Sequence, residues 1–246
     1  FSLLCKTRKS GETATKPDGF LLKRGDFTGK GLQFCPATYA VVVPNARILT
    51  SGLFDFGKVT FPDFAALSEE NRACCIMSCI QQVAIVDSTY RSLHHFPEDA
   101  MKYFASYTTT IDYDSVEKFF EDCPHEINKA DAIEALRVNA RRTTAMNRHV
   151  YERIKPDNVE FLVLLGLSFW NNEVALLNDD LCNATERNRA AILRELNIVY
   201  KSRGKDDYAS RLGELLCFLD NTENNVSLHA VDVELYRLLN LFNEAF

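Results

Sequence analysis

Arg91 closes an apolar run that begins near residue 71, and its guanidinium is the side chain in this sequence most in need of a chemical explanation. A buried cation without a partner is costly, so Arg91 must meet a carbonyl or an acid. Other candidates for chemistry fall away on spacing. His94-His95 has no ligand spacing toward His125, His149 or His229. Asn178-Asp179 with Glu186 has the outline of a magnesium motif for diphosphate chemistry. However, Cys182 replaces its hydroxyl residue and there is no D-D-x-x-D partner. Cys74, Cys75 and Cys79 occupy small-residue positions in the apolar run. Cys5, Cys35, Cys123, Cys182 and Cys217 are scattered, with no C-x-x-C pair to hold zinc or run redox chemistry. No nucleophile and base stand in a recognisable constellation, so an enzyme is not expected.

The elements that must position Arg91 read as helices. The stretch 6–17 is polar, and Gly19, Gly25, Gly29 and Gly31 follow, so residues 1–38 are expected to be a loop-rich lead-in, a hinge or divergent first helix. The main domain is expected over 39–246. Pro44 disfavours a helix running through it, which places the first clear helix over 45–60, with Gly52 and Gly57 weakening it. Ser68 is positioned as an N-cap with Glu69 and Glu70 in the first turn. The run 71–91 is apolar almost all round, as in a helix sandwiched between two layers. A short strand is expected over 107–111. Helices follow over 128–154, 158–170, 184–201 (stopped by Gly204), 206–220 and 231–246. The fold expected is all-α, a three-layer antiparallel helical sandwich with a short β element.

Composition narrows the function classes. The chain has 246 residues, 46% hydrophobic and 25% charged, enough for one helical domain with a sizeable core. A formal charge of −6 argues against this segment gripping nucleic acid, which needs a basic surface. No apolar run reaches the roughly 18 residues of a membrane span and no signal peptide is visible, so the expectation is a soluble intracellular chain with no membrane contact. The sequons Asn183-Ala184-Thr185 and Asn225-Val226-Ser227 are then incidental.

One segment carries a family resemblance. Phe61-Pro62-Asp63-Phe64-Ala65-Ala66-Leu67-Ser68-Glu69-Glu70-Asn71-Arg72, continued by Ile80-Gln81-Gln82 and Ser88-Thr89-Tyr90-Arg91-Ser92, resembles the signature of nuclear-receptor ligand-binding domains. The stretches 154–165 and 208–216 look like the family's eighth and tenth helices. The closing 234–242 is similar to nematode supplementary nuclear receptors related to the hepatocyte nuclear factor four group.

The resemblance implies a nuclear, ligand-regulated transcription factor domain. Its ligand would be lipophilic, a fatty acid or other lipid, in a cavity lined by Ile76, Ile80, Val83 and Ile85 with Arg91 at the polar end. The alternative for Arg91 is an internal carbonyl or acid that holds the adjacent turn. No cofactor is implied in this domain. Glu160 and Arg211 match a structural ion pair of the family. Leu241-Phe242-Asn243-Glu244-Ala245-Phe246 fits the activation helix that completes a groove for coactivator or corepressor helix peptides. In that groove Val59 and Met77 stand where receptors carry Lys or Arg, with Lys58 one position, about 100° of helix rotation, away. Homodimers or heterodimers with another nuclear receptor are implied through the helix from 206, and DNA contact through a zinc module elsewhere in the full-length protein. The competing expectation is a ligand-independent dimerisation and coregulator scaffold with a filled pocket. Two L-x-x-L-L segments, 212–216 and 235–239, read as core faces of helices rather than docking motifs.

Overall fold

The computed structural model describes residues 34–106, 109–123, 129–204 and 208–238. In chain order these form β1 (Cys35–Pro36), α1 (Tyr39–Thr60), α2 (Pro62–Ala66), α3 (Glu69–His95), β2 (Lys102–Phe104), β3 (Thr109–Asp112) and a 3₁₀ segment (Tyr113–Phe120). They continue through α4 (Lys129–Ile154), α5 (Asn158–Phe169), α6 (Asn172–Ala175), α7 (Asp179–Ser202) and α8 (Ala209–Leu238). Helix α3 is the hub, touching α1, α4, α5, α6 and α8. The layers are α1 on one side, α3 with α5 and α7 in the middle, and α4 with α8 on the other. The architecture is the expected all-α sandwich with a short β element.

Local chemistry accounts for most helix starts. The Ser68 hydroxyl accepts from the Asn71 amide at 3.1 Å, which caps α3 as its sequence predicts. The Asp157 carboxylate accepts from the amides of Val159 and Glu160, while Glu160 accepts from the Asp157 amide, a complete capping box for α5. Gly204 has φ +67, the left-handed conformation that ends α7 where expected.

Two expectations need correction. Helix α1 begins at Tyr39 rather than residue 45, so Pro44 lies in its second turn and removes one backbone bond. The added turns are secured at their start: Tyr39 is buried, and the Ala40 amide donates to Asp122 at 3.3 Å. Helix α8 is continuous across 221–230, where a break between two helices is expected. The Asn221, Asn224 and Asn225 cluster reads locally as helix-breaking, but tertiary bonds override it. The amide nitrogens of Asn221 and Asn225 both donate to Asn147 Oδ1 on α4, at 3.1 and 2.6 Å. The lead-in expected over 1–38 lies outside the described residues up to residue 33. Its last part forms β1, parallel to β3, with β2 antiparallel on the other side.

The sheet is fastened to α3 by two serines. Ser88 Oγ donates to the Phe104 carbonyl at 2.6 Å, and Ser92 Oγ accepts from the Phe104 amide at 3.0 Å. The main core gathers aromatic rings where α1, α2 and α5 meet. Phe61 stacks on Phe169 at 5.3 Å, and Phe64 meets Phe169 edge-on at 5.2 Å. Gly57 sits against this cluster: a Cβ there would stand 2.7 Å from both Phe64 and Phe169. The glycine that weakens α1 on propensity is what lets α1 approach the rings.

An ion-pair network ties the layers together. Arg211 on α8 donates from Nε and Nη2 to the two Glu160 oxygens at 2.9 and 2.7 Å, and from Nη1 to the Ile154 carbonyl at the end of α4. Tyr200 on α7 adds a 2.6 Å bond to Glu160. Burial pushes the Glu160 carboxyl up, but bonds from Arg211, Tyr200 and the Asp157 amide outweigh it and hold the pKa at about 2.

Two predictions follow from this packing. Gly57→Ala is expected to lower stability by about 1–2 kcal/mol in urea unfolding, because overpacking outweighs the gain in helix propensity; a more stable variant would mean the rings can yield. Glu160→Gln is expected to cost about 3 kcal/mol at neutral pH. The wild-type carboxylate, lowered from 4.5, contributes stability that is full above that value and lost as pH falls toward 2. Denaturation at pH 5 and pH 3 should therefore show a steeper decline for wild type than for the variant.

Candidate functional site

The interior divides into two apolar clusters. The main one spans α1 to α8 around Leu53, Phe64, Ile76, Val83 and Leu164. The second lies by the sheet, around Tyr39, Ile111, Tyr113, Val116 and Phe120, with Ala132 of α4. Several polar side chains are buried as well. Asn45 lies on α1 between Tyr39 and Leu49, Asn139 and Asn147 lie on α4 between Leu136 and Val150, and Asp87 and Arg91 lie near the sheet end of α3. Buried polar groups require partners, and the bonds they make fix the helices that carry them.

Arg91 is 7% exposed. Its Nε donates to Asp87 Oδ2 at 2.8 Å, one helical turn back, and its Nη2 donates to the Ser106 carbonyl at 3.0 Å. The guanidinium carbon also lies 4.3 Å from the Phe104 ring centre. Arg91 thus joins α3 to the β2–β3 turn through internal acid, carbonyl and aromatic contacts.

The four α3 residues expected to line a cavity do not share one wall. Ile76 and Val83 are buried in the main cluster, and Ile80 packs against it half-buried. Ile85 is half-buried and lies nine residues from Ile76, half a turn round the helix.

On the outer surface, α1 and the start of α3 frame a groove of about 540 Å³. It is lined by Arg47, Thr50, Ser51, Phe54, Asp55, Lys58, Glu69 and Arg72. Lys58, expected here, therefore shares the groove with two arginines that the sequence reading does not single out. Arg72 is partly committed, donating from Nη1 to the carbonyls of Ala65 and Leu67 at the end of α2. Val59 and Met77 are 73% and 68% exposed, unusually open for apolar side chains. Leu241, Phe242 and Glu244 lie outside the described residues. Of the L-x-x-L-L segment at 212–216, Leu215 is fully buried and Leu212 packs on the main core. Glu160 and Arg211 are brought together as described above.

Sequence reading also misses three arginines that bond to backbone. Arg148 donates to the carbonyls of Asp99, Phe96 and Pro97, fixing the turn after α3. Arg189 donates to Leu167 and Trp170 at the end of α5, as Arg72 does for α2. Each partner is distant in sequence or hidden at a helix end, so no spacing signals it. Among the described residues no three His, Cys, Asp or Glu side chains gather as a metal site, and no helix is long and apolar enough to cross a membrane.

Comparison with known proteins agrees with this geometry. The family described as the ligand-binding domain of nuclear hormone receptor matches residues 59–239. The chain is 26% identical over 210 residues to nuclear hormone receptor family member nhr-43 of Caenorhabditis elegans, covering 80% of this chain and 45% of that protein. It is 24% identical over 193 residues to nhr-57 of the same organism, covering 77% and 50%. It is 26% identical over 191 residues to nhr-28 of Caenorhabditis briggsae, covering 75% and 42%. The chain thus spans about half the length of the relatives it matches. Three packed helical layers around a buried α3, a small sheet at its end and a profile match over most of the chain have one reading: it belongs to the nuclear hormone receptor family, as a ligand-binding domain.

Proposed function

We propose that this chain is the ligand-regulated part of a nuclear transcription factor. It binds a small lipophilic molecule in its interior and recruits coregulator helix peptides on its surface. The observation that carries the reading is the groove between α1 and α3, where Arg47, Lys58 and Arg72 stand beside Phe54. Lys58 and Arg47 suit the C-terminal carbonyls of a short helix, Phe54 suits a leucine, and Asp55 and Glu69 give the groove mixed charge. Leu241, Phe242 and Glu244 supply the other wall in this reading, with Glu244 accepting from the amides of the peptide's first turn. Ligand occupancy shifts the population in which that wall is docked. The surface of α8 serves pairing with a second copy or another nuclear receptor, and a separate zinc-bearing segment of the full-length protein contacts DNA.

The second reading is a ligand-independent scaffold with a filled interior. It is favoured by the internal commitment of Arg91 and by Val59 and Met77 at positions that carry charge in the family.

Fluorescence polarisation with an L-x-x-L-L peptide panel tests the docking groove. Lys58→Ala and Glu244→Ala are each expected to weaken binding about five- to tenfold, the effect of about 1–1.4 kcal/mol on an exposed clamp. Peptide affinity unchanged in both variants would remove the groove from the function. Native mass spectrometry separates the two roles of Arg91. Arg91→Ala is expected to lose about 3 kcal/mol by breaking the buried ion pair with Asp87 and the bond to Ser106, while any co-purifying lipid mass stays. Selective loss of a carboxylate lipid would make Arg91 the ligand's clamp instead.

A further inference from the structure

Arg47 is the only charged side chain in the stretch 39–54, and it stands exposed in the α1 wall of the groove. Thr50, Ser51, Phe54, Asp55 and Lys58 follow it on that wall at spacings of three, four, seven, eight and eleven residues, the repeat of one helical face. Arg47 and Lys58 therefore lie about 16 Å apart along the α1 axis, with Phe54 between them. The third cation of the groove, Arg72, turns to the carbonyls of Ala65 and Leu67. Among the described residues neither Arg47 nor Lys58 forms an ion pair. The acids of the groove are placed unequally toward them: Asp55 lies one turn from Lys58 but two turns from Arg47, and Glu69 belongs to the α3 wall. An unpaired arginine on an open surface meets only water, whereas one in the wall of a groove meets whatever occupies the groove.

A docked helix has one C-terminus, so its free carbonyls reach one of these two cations and leave the other, three turns away, without a partner. Lys58 is a compact point charge that serves carbonyl ends in any orientation. Arg47 carries a planar fork, and the group that matches a fork is a carboxylate. In a helix laid along α1 with its C-terminus at Lys58, both helices rise about 1.5 Å per residue. The position over Arg47 then falls about seven residues, or two turns, ahead of the leucine over Phe54. A carboxylate there also lies toward the N-terminal end of the docked helix, where the dipole favours negative charge. We propose that Arg47 sets the specificity of the groove, and that its partner is a coregulator helix carrying Asp or Glu about two turns ahead of the leucine on Phe54. This inference rests on the reading of the groove as a coregulator docking site and names the class of partner that site selects.

The probes are labelled peptides with one fixed L-x-x-L-L core, in which a single Glu, Gln or Lys is walked through the eight or so residues ahead of the first leucine. Binding is read by fluorescence polarisation on the full chain, in wild type, Arg47→Ala, Arg47→Lys and Arg47→Glu. At one position of the walk, wild type should prefer Glu over Gln about three- to fivefold, the effect of one exposed ion pair, and should bind Lys most weakly. Arg47→Ala should erase that preference, so that the Glu and Gln peptides bind the variant alike. Arg47→Lys should retain part of it, and Arg47→Glu should reverse it in favour of Lys. The wild-type preference should also shrink between about 50 and 500 mM salt. Equal affinity for Glu and Gln at every position would overturn the inference and leave the docking groove standing. So would a Glu preference that survives in Arg47→Ala, the result expected if the acid only stabilises the peptide's own helix. If no peptide of the series binds wild type, the inference and the docking reading fall together.

Discussion

The contact between Glu160 and Arg211 is the constraint around which the layers are assembled. Glu160 is nearly fully buried at the first turn of α5, and a carboxylate there is tolerable only if every lone pair is met. Arg211 supplies two bonds, Tyr200 a third and the Asp157 amide a fourth. Because these donors come from α8, α7 and the entrance of α5, and Arg211 also binds the last carbonyl of α4, satisfying one side chain fixes four helices relative to one another. Hydrophobic burial gives the core its gross stability but tolerates sliding. The fork geometry of a guanidinium on a carboxylate does not.

The same logic recurs around the periphery, with backbone in place of a carboxylate. Arg72, Arg148 and Arg189 each fold back onto carbonyls at a helix end or turn. Helix C-termini expose unpaired acceptors, and a long cation with several donors can serve two or three of them at once. Arg91 belongs to this group by its bond to Ser106, and it also pairs with the Asp87 carboxylate one turn back. Arginine charge in these places serves the architecture of the fold itself.

Sequence patterns exposed the helical rhythm, the buried character of α3, the Ser68 cap and the Gly204 stop, because each depends on residues within a few positions of one another. What they hid depended on distant partners. Pro44 signals a boundary, yet Asp122 and the packing of Tyr39 carry α1 past it. The asparagines at 221–225 signal a break, yet Asn147 gathers two of them from the opposite helix. Gly57 is unfavourable for a helix until Phe64 and Phe169 are placed beside it. At the candidate site, Lys58 was legible from its place in the family pattern. Arg47 and Arg72 joined the groove only through the packing of α1 against the start of α3, which no local pattern signals.

The unbroken course of α8 has a mechanical consequence. Its 30 residues make a rod about 45 Å long, clamped near its start by Arg211 and at mid-length by the pair of bonds to Asn147. A rod held at two points has a fixed direction, which a rod held at one point does not. The two contacts lie on different neighbours, the Glu160 carboxylate at the start of α5 and Asn147 on α4, so the axis of α8 is set against both helices at once. The hydrogen bonds that suppress a break in the helix thereby also fix its heading through residue 238.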